Sequence, residues 1–181
     1  MSEGLVLATT CVEDIAAFCR EVPGGHLGGP QGDKKKGTAE EGCELPPRLL
    51  QFIRSQVVPL LPAGTTFTEA LEGGLIMARL HRMEKGCVFL PHFDHRTLYA
   101  LRGKEGVQAS AIVTVTLCGE AEFSLWEGKK LRSAHQLRKG SVCVISGRAR
   151  SDWKHSVTAK SDRDVLILRE VNPSRVRKKR K

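Results

Sequence analysis

Short apolar runs separated by glycines and charged residues dominate the chain after residue 74, and this pattern constrains the fold more than any other feature. Each run is rich in Val, Ile, Leu or Thr; the runs are Leu75–Leu80, Cys87–Leu90, Ala109–Cys118, Ala121–Trp126, Ser141–Ser146 and Asp164–Arg169. Because no helical pattern lies between them, their spacing predicts a β-sandwich or barrel rather than parallel α/β units. We therefore predict an α+β fold that is mainly β, a double-stranded β-helix (jelly roll), with one or two supporting helices on its N-terminal side.

Two helices are predicted ahead of this β region. The first lies within residues 1–23 and runs from about Cys11 to Val22, because its apolar residues share one face. Residues 24–45 are dominated by Gly, Lys and Glu, so we predict a disordered insert or linker there. The second helix follows Pro46-Pro47 and spans roughly residues 48–58. The jelly-roll domain is expected to cover residues 46–172.

Positive charge is concentrated at the C-terminal end. The 181 residues carry a formal net charge of +9, and residues 175–181 contribute six positive charges and no negative one. We therefore treat residues 173–181 as a basic tail. Three interpretations of this tail remain open: a nuclear-import signal, an electrostatic contact with the phosphates of a nucleic acid, or a solvated terminus without a specific partner.

The rest of the composition is typical of a globular protein with reduced thiols. The six cysteines form no CxxC pair, the N-terminus does not resemble a secretory signal, and no apolar run is long enough to cross a bilayer. These features predict a monomer in the nucleus or cytoplasm with no membrane partner.

A His-x-Asp pair and a later histidine suggest a metal site. In an extended strand residues i and i+2 point to the same face, so the side chains of His92 and Asp94 are expected to project together. His155 follows a later strand and its turn, where it could complete a set of two histidines and one carboxylate. This facial triad leaves adjacent metal positions open, as non-haem Fe(II) oxygenases require.

Two arginines flank the most apolar strand. Arg163 and Arg169 are separated by an even number of residues, so both should point to one partly buried face. Buried guanidinium groups need anionic partners. A dicarboxylate cosubstrate would supply them through bidentate pairing.

Taken in order, these motifs resemble the AlkB family of Fe(II)- and 2-oxoglutarate-dependent dioxygenases, from about Pro47 to Val171. Residues 81–94 resemble the family's Asn-x-Tyr…Gly…His-x-Asp segment, and Ser146–His155 is similar to its Gly-x-Ala/Ser-Arg-x-x-x-x-His turn. Arg163 and Arg169 fall where the family has its Arg-x5-Arg strand.

The resemblance implies roles for six residues. His92, Asp94 and His155 would bind Fe(II); Arg163 would pair with the distal carboxylate of 2-oxoglutarate, and Arg169 would lie near its keto-acid end. His81 would stand near the cosubstrate as a hydrogen-bond donor. Fe(II), 2-oxoglutarate and O2 would together hydroxylate a C–H bond and release succinate, with loss of formaldehyde when that bond belongs to an N-methyl group. The substrate could be RNA, DNA or a protein side chain.

Two other hypotheses remain open, and the first of them rests on His81 and Met83, which stand where the family has Asn and Tyr. The chain could be a catalytically degenerate jelly-roll binding module that acts through its basic tail on nucleic acid or a protein partner. It could also be a metal-binding, cupin-like protein unrelated to 2-oxoglutarate. We rank this last, because it leaves Arg163 and Arg169 without anionic partners.

Overall fold

The computed structural model describes residues 4–21, 25–33, 38–40, 42–95 and 110–177, and short strands make up most of the regular structure within them. In chain order the elements are β1 (Leu5–Thr9), α1 (Glu13–Glu21), β2 (Gly25–Gly28), β3 (Gln31–Asp33), β4 (Thr38–Glu40), α2 (Pro47–Phe52), α3 (Phe67–Glu72), β5 (Ile76–Met83), β6 (Val88–His92), β7 (Ile112–Cys118), β8 (Ala121–Glu127), β9 (Lys130–Leu137), β10 (Ser141–Ile145), α4 (Gly147–Ser151), β11 (Lys154–Ala159), β12 (Arg163–Glu170) and β13 (Val176–Arg177). A π-helical turn (Ile53–Val57) and a 3-10 turn (Val58–Leu60) extend α2, and a 3-10 turn (Pro173–Arg175) precedes β13.

Two facing antiparallel sheets form the body of the protein. The larger has the strand order β1-β10-β7-β12-β5-β2, and the smaller has the order β6-β11-β8-β9. From β5 to β12 the chain passes repeatedly from one sheet to the other, so strands that are neighbours in sequence mostly lie in different sheets. This is the connectivity of a double-stranded β-helix, and the predicted mainly β, jelly-roll fold is confirmed.

Two apolar layers cover the two faces of the larger sheet. One layer packs the helices against the outer face of that sheet, with Leu49, Ile53 and Phe67 fully buried against strand residues. The other fills the space between the two sheets and includes Phe123, Ile145 and other side chains. Since β12 contributes alternate residues to each layer, it is buried on both sides, as its continuous apolar run predicts.

Both predicted helices are present, whereas three strands outside the insert and the tail were missed, as were the short helices α3 and α4. Helix α1 falls within the predicted residues 11–22, and α2 with its following turns covers the predicted second helix. Neither β9 nor β11 was predicted. The side chains of β9 are mostly exposed, because it is the outermost strand of the smaller sheet and has no apolar run to mark it. Strand β1, which pairs with β10, was also missed.

The prediction of a disordered insert at residues 24–45 is wrong for the part that the structure describes. Strand β2 extends the larger sheet by pairing with β5, and β3 pairs with β4. Glycine permits this close approach: Gly29 has φ +77°, and a Cβ there would lie 1.8 Å from the carbonyl oxygen of Ile76. The segment is held by backbone pairing, which a low apolar content does not reveal. The lysine run at residues 34–36 lies outside the described residues.

Part of the predicted basic tail also belongs to the fold. Val176 and Arg177 of β13 pair in parallel with Ala39 and Glu40 of β4. The Asn172 side chain accepts a hydrogen bond from the Ser174 amide at 3.1 Å, and so caps the 3-10 turn that follows it and leads to β13. The tail is therefore folded to residue 177, and residues 178–181 lie outside the described part of the chain. Across the described ranges, no helix is long and apolar enough to span a membrane.

This tail contact leads to a stability prediction. Val176 packs against a small cluster formed by Ala39, Met77 and Val171. We expect Val176→Ala to lower the free energy of unfolding by about 1 kcal/mol, because it removes two methyl groups from a half-buried contact. Urea denaturation would measure the change, with the exposed Arg175→Ala as control. Equal unfolding midpoints for the two variants would show that the tail adds no stability.

Candidate active site

A cavity of about 380 Å³ opens between the two sheets, within the size range of small-ligand sites. Most of its wall is apolar and includes Phe123 and Leu137 from the smaller sheet and Ile145 and Ile167 from the larger one. All six residues singled out from the sequence line this cavity: His81, His92, Asp94, His155, Arg163 and Arg169. The structure therefore brings together groups that are up to 88 positions apart in the chain.

The two histidines of the candidate triad come from paired strands. His92 is the last residue of β6 and stands opposite His155 of β11 in the antiparallel register. Directly opposed residues project to the same face of a sheet, so both imidazoles enter the cavity. Their ring centroids are 4.5 Å apart. On its other side the His155 ring lies nearly parallel to Phe123, at 6.1 Å between ring centroids.

Asp94 lies two residues beyond His92, between His155 and Arg169. Its Oδ2 is 3.8 Å from His155 Nε2, and its Oδ1 is 3.1 Å from Arg169 Nη2. Only 5% of the Asp94 side chain is exposed. Oδ2 is buried and has no hydrogen-bond partner among the described residues. This unpaired carboxylate oxygen is turned toward the histidines, where a cation could bind it.

The protonation states in the cluster suit a divalent metal. Burial works to raise the pKa of Asp94, but Arg169, His155 and Arg150 outweigh it and hold that pKa below its ordinary value. Burial lowers the pKa of His155 to about 4, so its ring is neutral at pH 7. His92 Nδ1 lies 2.7 Å from the Leu90 carbonyl oxygen, which can only accept. Nδ1 of His92 therefore carries a proton, and Nε2 is the ring nitrogen that a metal would bind.

Two imidazoles and one ionised carboxylate are the donor set that borderline metals such as Fe(II) prefer. Within the described ranges, no three His, Cys, Asp or Glu side chains stand in the close arrangement of a preformed metal centre. These three side chains therefore fit a metal chemically, although the Asp94 carboxylate pairs with the Arg169 guanidinium instead of lying centrally between the histidines.

Arg163 presents a second buried charge to the cavity. It is 3% exposed and donates from Nη2 to Thr116 Oγ1 at 2.8 Å, while its Nε has no hydrogen-bond partner in the described part of the chain. No carboxylate of a described residue pairs with it, and burial lowers its pKa to about 10. The side chain remains charged at pH 7. A buried cation without a counter-charge is unfavourable unless an anion binds beside it.

The remaining predicted residue is His81 of β5, which stands opposite Val165 of β12 and faces the cavity. Its ring centroid is 6.3 Å from that of Phe89. Phe89 and Leu90 also line the cavity and are 41% and 74% exposed, so they form part of its rim. The sequence reasoning missed these two residues and Thr116. Strand alternation alone could have identified Leu90, which lies two residues before His92 on β6. Thr116 lies on β7 and could have been identified as a neighbour of Arg163 only if the pairing register of β7 and β12 were known.

The sequence matches no protein-family model and no curated protein sequence. Solved structures resemble about half of the chain. A conserved Streptococcus pyogenes protein of unknown function, SPY1581, is 13% identical over 52% of this chain and 63% of its own, with a TM-score of 0.37. A salicylate 1,2-dioxygenase from Pseudaminobacter salicylatoxidans is 18% identical over 53% and 21%, with a TM-score of 0.34. An RmlC-like cupin from Desulfovibrio desulfuricans is 19% identical over 52% and 71%, with a TM-score of 0.36.

The chain spans less than two thirds of the length of the first two of these proteins. At this level of identity and structural overlap they do not indicate an activity, so what the site does has to be inferred from its own residues.

Proposed function

We propose that the protein is an Fe(II)- and 2-oxoglutarate-dependent oxygenase of the AlkB type. One observation carries the proposal: a single cavity holds a His-Asp-His donor set and, on β12 of the other sheet, a buried arginine that pairs with no carboxylate of the described residues. A metal and an anion binding together would satisfy both features at once.

The chain's own residues would have distinct roles. His92, Asp94 and His155 would hold the metal through His92 Nε2, His155 Nε2 and the unpaired Asp94 Oδ2. Arg163 would bind the distal carboxylate of the cosubstrate, with the Thr116 hydroxyl fixing its guanidinium. When bound, Fe(II) with 2-oxoglutarate and O2 would supply the oxidation of a C–H bond, coupled to decarboxylation of the cosubstrate to succinate.

The position of Arg169 revises the role that the resemblance implies for it. Its guanidinium pairs with Asp94 at 3.1 Å, so it would restrain the metal-binding carboxylate rather than only lie near the keto-acid end of the cosubstrate. The apolar wall, with Phe123 beside His155, would exclude water from the site.

Buried charge around the cavity also supports an anionic ligand. Among the described residues, the buried charged side chains here are Arg150, Arg163 and Arg169 against Asp94 and Glu170. One positive charge is in excess, and Arg163 is the arginine with no carboxylate to pair with. Adding a divalent metal and a dicarboxylate leaves the total charge unchanged, so binding both does not increase the excess.

The substrate that we propose carries a methyl group or C–H bond on a nucleic acid or a protein. The exposed apolar side chains of Phe89 and Leu90 stand at the rim, where such a substrate would enter. A nuclear or cytoplasmic location, a monomeric state and a role of the C-terminal basic residues in import or phosphate contact remain part of this proposal.

Two alternatives follow from specific observations. His81 and Met83, together with a donor cluster that is not closed, are what a degenerate binding module would show. A cupin-like metal protein that does not use 2-oxoglutarate is the other. The pairing of Arg169 with Asp94 removes half of our argument against it, and within the described part of the chain only Arg163 of these two arginines has no anionic partner.

Anaerobic titration with Fe(II) and 2-oxoglutarate tests the proposal without knowledge of the substrate. We expect the visible charge-transfer band of a keto acid chelated to Fe(II), and we expect it to disappear in His92→Ala. Fe(II) binding without a band when 2-oxoglutarate is added would favour the cupin-like alternative. Absence of both Fe(II) binding and the band in folded protein would favour the binding module.

A further inference from the structure

The outer face of the smaller sheet carries a pair of apolar side chains that the proposed function does not use. Trp126 of β8 stands opposite Leu131 of β9 in the antiparallel register, so both project from the same face. This face points away from the cavity, because the neighbouring Leu125 packs in the layer between the two sheets. Among the described residues, Trp126 and Leu131 belong to neither apolar layer; Trp126 is partly exposed, and Leu131 is 47% exposed.

The indole of Trp126 is held in place on this face. Its Nε1 donates a hydrogen bond of 2.8 Å to the hydroxyl of Ser156 on β11, so the ring reaches from its own strand to the neighbouring one. The polar atom of the indole is therefore satisfied within the protein, and the exposed part of the ring offers a partner only apolar surface. Fixed aromatic rings of this kind are the surfaces on which unpaired nucleobases stack.

Basic residues surround Trp126 at this end of the smaller sheet. Lys154 of β11 stands opposite Trp126 in the register, on the side away from β9. Two arginines lie over the ring of Trp153, which directly precedes Lys154, with Cζ atoms 4.3 Å and 5.8 Å from the ring centroid. Five basic residues therefore lie here against two acidic ones, an excess of three positive charges; they are Lys129, Lys130, Arg132, Arg148 and Lys154 against Glu127 and Asp152. We call the five basic residues, with Trp126 and Leu131, the basic-aromatic patch.

Positive charge is concentrated around the indole rather than spread over the sheet. At the other end of the same sheet, Lys160 pairs with Glu122 at 3.6 Å and Arg138 pairs with Glu120 at 3.7 Å, so these charges balance. A local excess of positive charge attracts a polyanion, and a polyanion with flat apolar groups would also use the indole. Single-stranded nucleic acid has both features, because its phosphates are charged and its bases are free to stack.

We propose that the basic-aromatic patch binds single-stranded nucleic acid, with one base stacked on Trp126 and the flanking phosphates contacted by Lys154 and the lysines that follow β8. A duplex fits less well, because its bases are already stacked on one another. This binding needs no metal and does not depend on the oxygenase activity proposed above. Together with that activity, it favours nucleic acid over protein as the substrate, since Lys154 directly precedes His155 and places the patch at the same end of the sheet as the candidate metal site.

Fluorescence anisotropy with the metal-free, full-length protein and a labelled oligo(dT) of about 12 nucleotides tests the proposal. We expect Trp126→Leu to raise the Kd about 10-fold through loss of a stacked base, and Trp126→Phe to recover part of the affinity. Lys154→Met should reduce the salt dependence of binding by about one phosphate contact. Lys160→Met is the matched control, because it removes a lysine beyond the other end of β11, and it should retain the wild-type Kd and salt dependence.

The outcomes separate this inference from the proposed function. Wild-type affinity in both Trp126→Leu and Lys154→Met would overturn the inference, because the nucleic acid would then bind elsewhere, as at the C-terminal basic residues. Binding to phosphatidylserine vesicles without binding to the oligonucleotide would also overturn it. Should Trp126→Leu not fold, Lys154→Met decides alone, since an unchanged salt dependence contradicts a phosphate contact. A failed Fe(II) titration leaves this inference standing, and failed oligonucleotide binding leaves an oxygenase with a protein substrate.

Discussion

Replacing His155 with alanine is expected to abolish Fe(II) binding, with Kd raised by more than about 100-fold, because loss of a ligand should exceed the 10- to 100-fold effect of its supporting partners. His155 Nε2 faces the unpaired Asp94 Oδ2 at 3.8 Å, and its ring packs beside that of His92. Without it, only one imidazole and one carboxylate remain, and Arg169 already occupies part of that carboxylate. Anaerobic equilibrium dialysis followed by iron determination would measure the loss.

His135→Ala is the matched control for this variant. His135 is also half-buried in the smaller sheet, opposite Phe123 in the register, but it does not line the cavity. Both substitutions remove a ring from the same sheet, so comparing their thermal midpoints accounts for the lost packing. Similar Fe(II) affinity in the two variants would show that the His92–Asp94–His155 cluster is not where the metal binds.

The sequence predicted the parts of the fold that rely on side-chain burial. Strand β12 is apolar on both faces because both apolar layers contact it, and this made it recognisable. Strand β9 has alternating but largely polar residues, since one edge and one face of it meet solvent, and it was missed. The insert strands and β13 are held mainly by backbone hydrogen bonds. Backbone pairing depends on where a sheet edge lies, and no local residue pattern records that.

The candidate site followed from periodicity, with one limit. The period of two along a strand placed His92 with Asp94 and Arg163 with Arg169, and the structure puts all four at one cavity. This periodicity could not show that Arg169 pairs with Asp94, because the contact joins β12 to a residue that follows β6, a strand of the other sheet.

We expect substitutions of two arginines on the same face of β12, Arg163 and Arg169, to have opposite effects on the free energy of unfolding. Arg163→Met should weaken 2-oxoglutarate binding by about 100-fold, since a charge-assisted hydrogen-bonded pair contributes roughly 3 kcal/mol. The same substitution should leave the free energy of unfolding unchanged or raise it by about 1 kcal/mol. The reason is that Arg163 is buried with no acidic partner among the residues that the structure describes, and an apolar side chain of similar volume removes that unfavourable charge.

Arg169→Met should have the opposite effect on stability. Its removal leaves Asp94 buried without its ion-pair partner, so we expect the free energy of unfolding to fall by about 3 kcal/mol. Urea denaturation of both variants without ligand, together with 2-oxoglutarate titration in the presence of Fe(II), would measure the two effects. A stable Arg163→Met protein that has lost cosubstrate affinity would mean that Arg163 is retained for an anion rather than for the fold. A loss of stability as large as that of Arg169→Met would instead show that Arg163 is part of the core structure. The argument for an anionic cosubstrate would then fail, because a structural arginine needs no ligand to explain it.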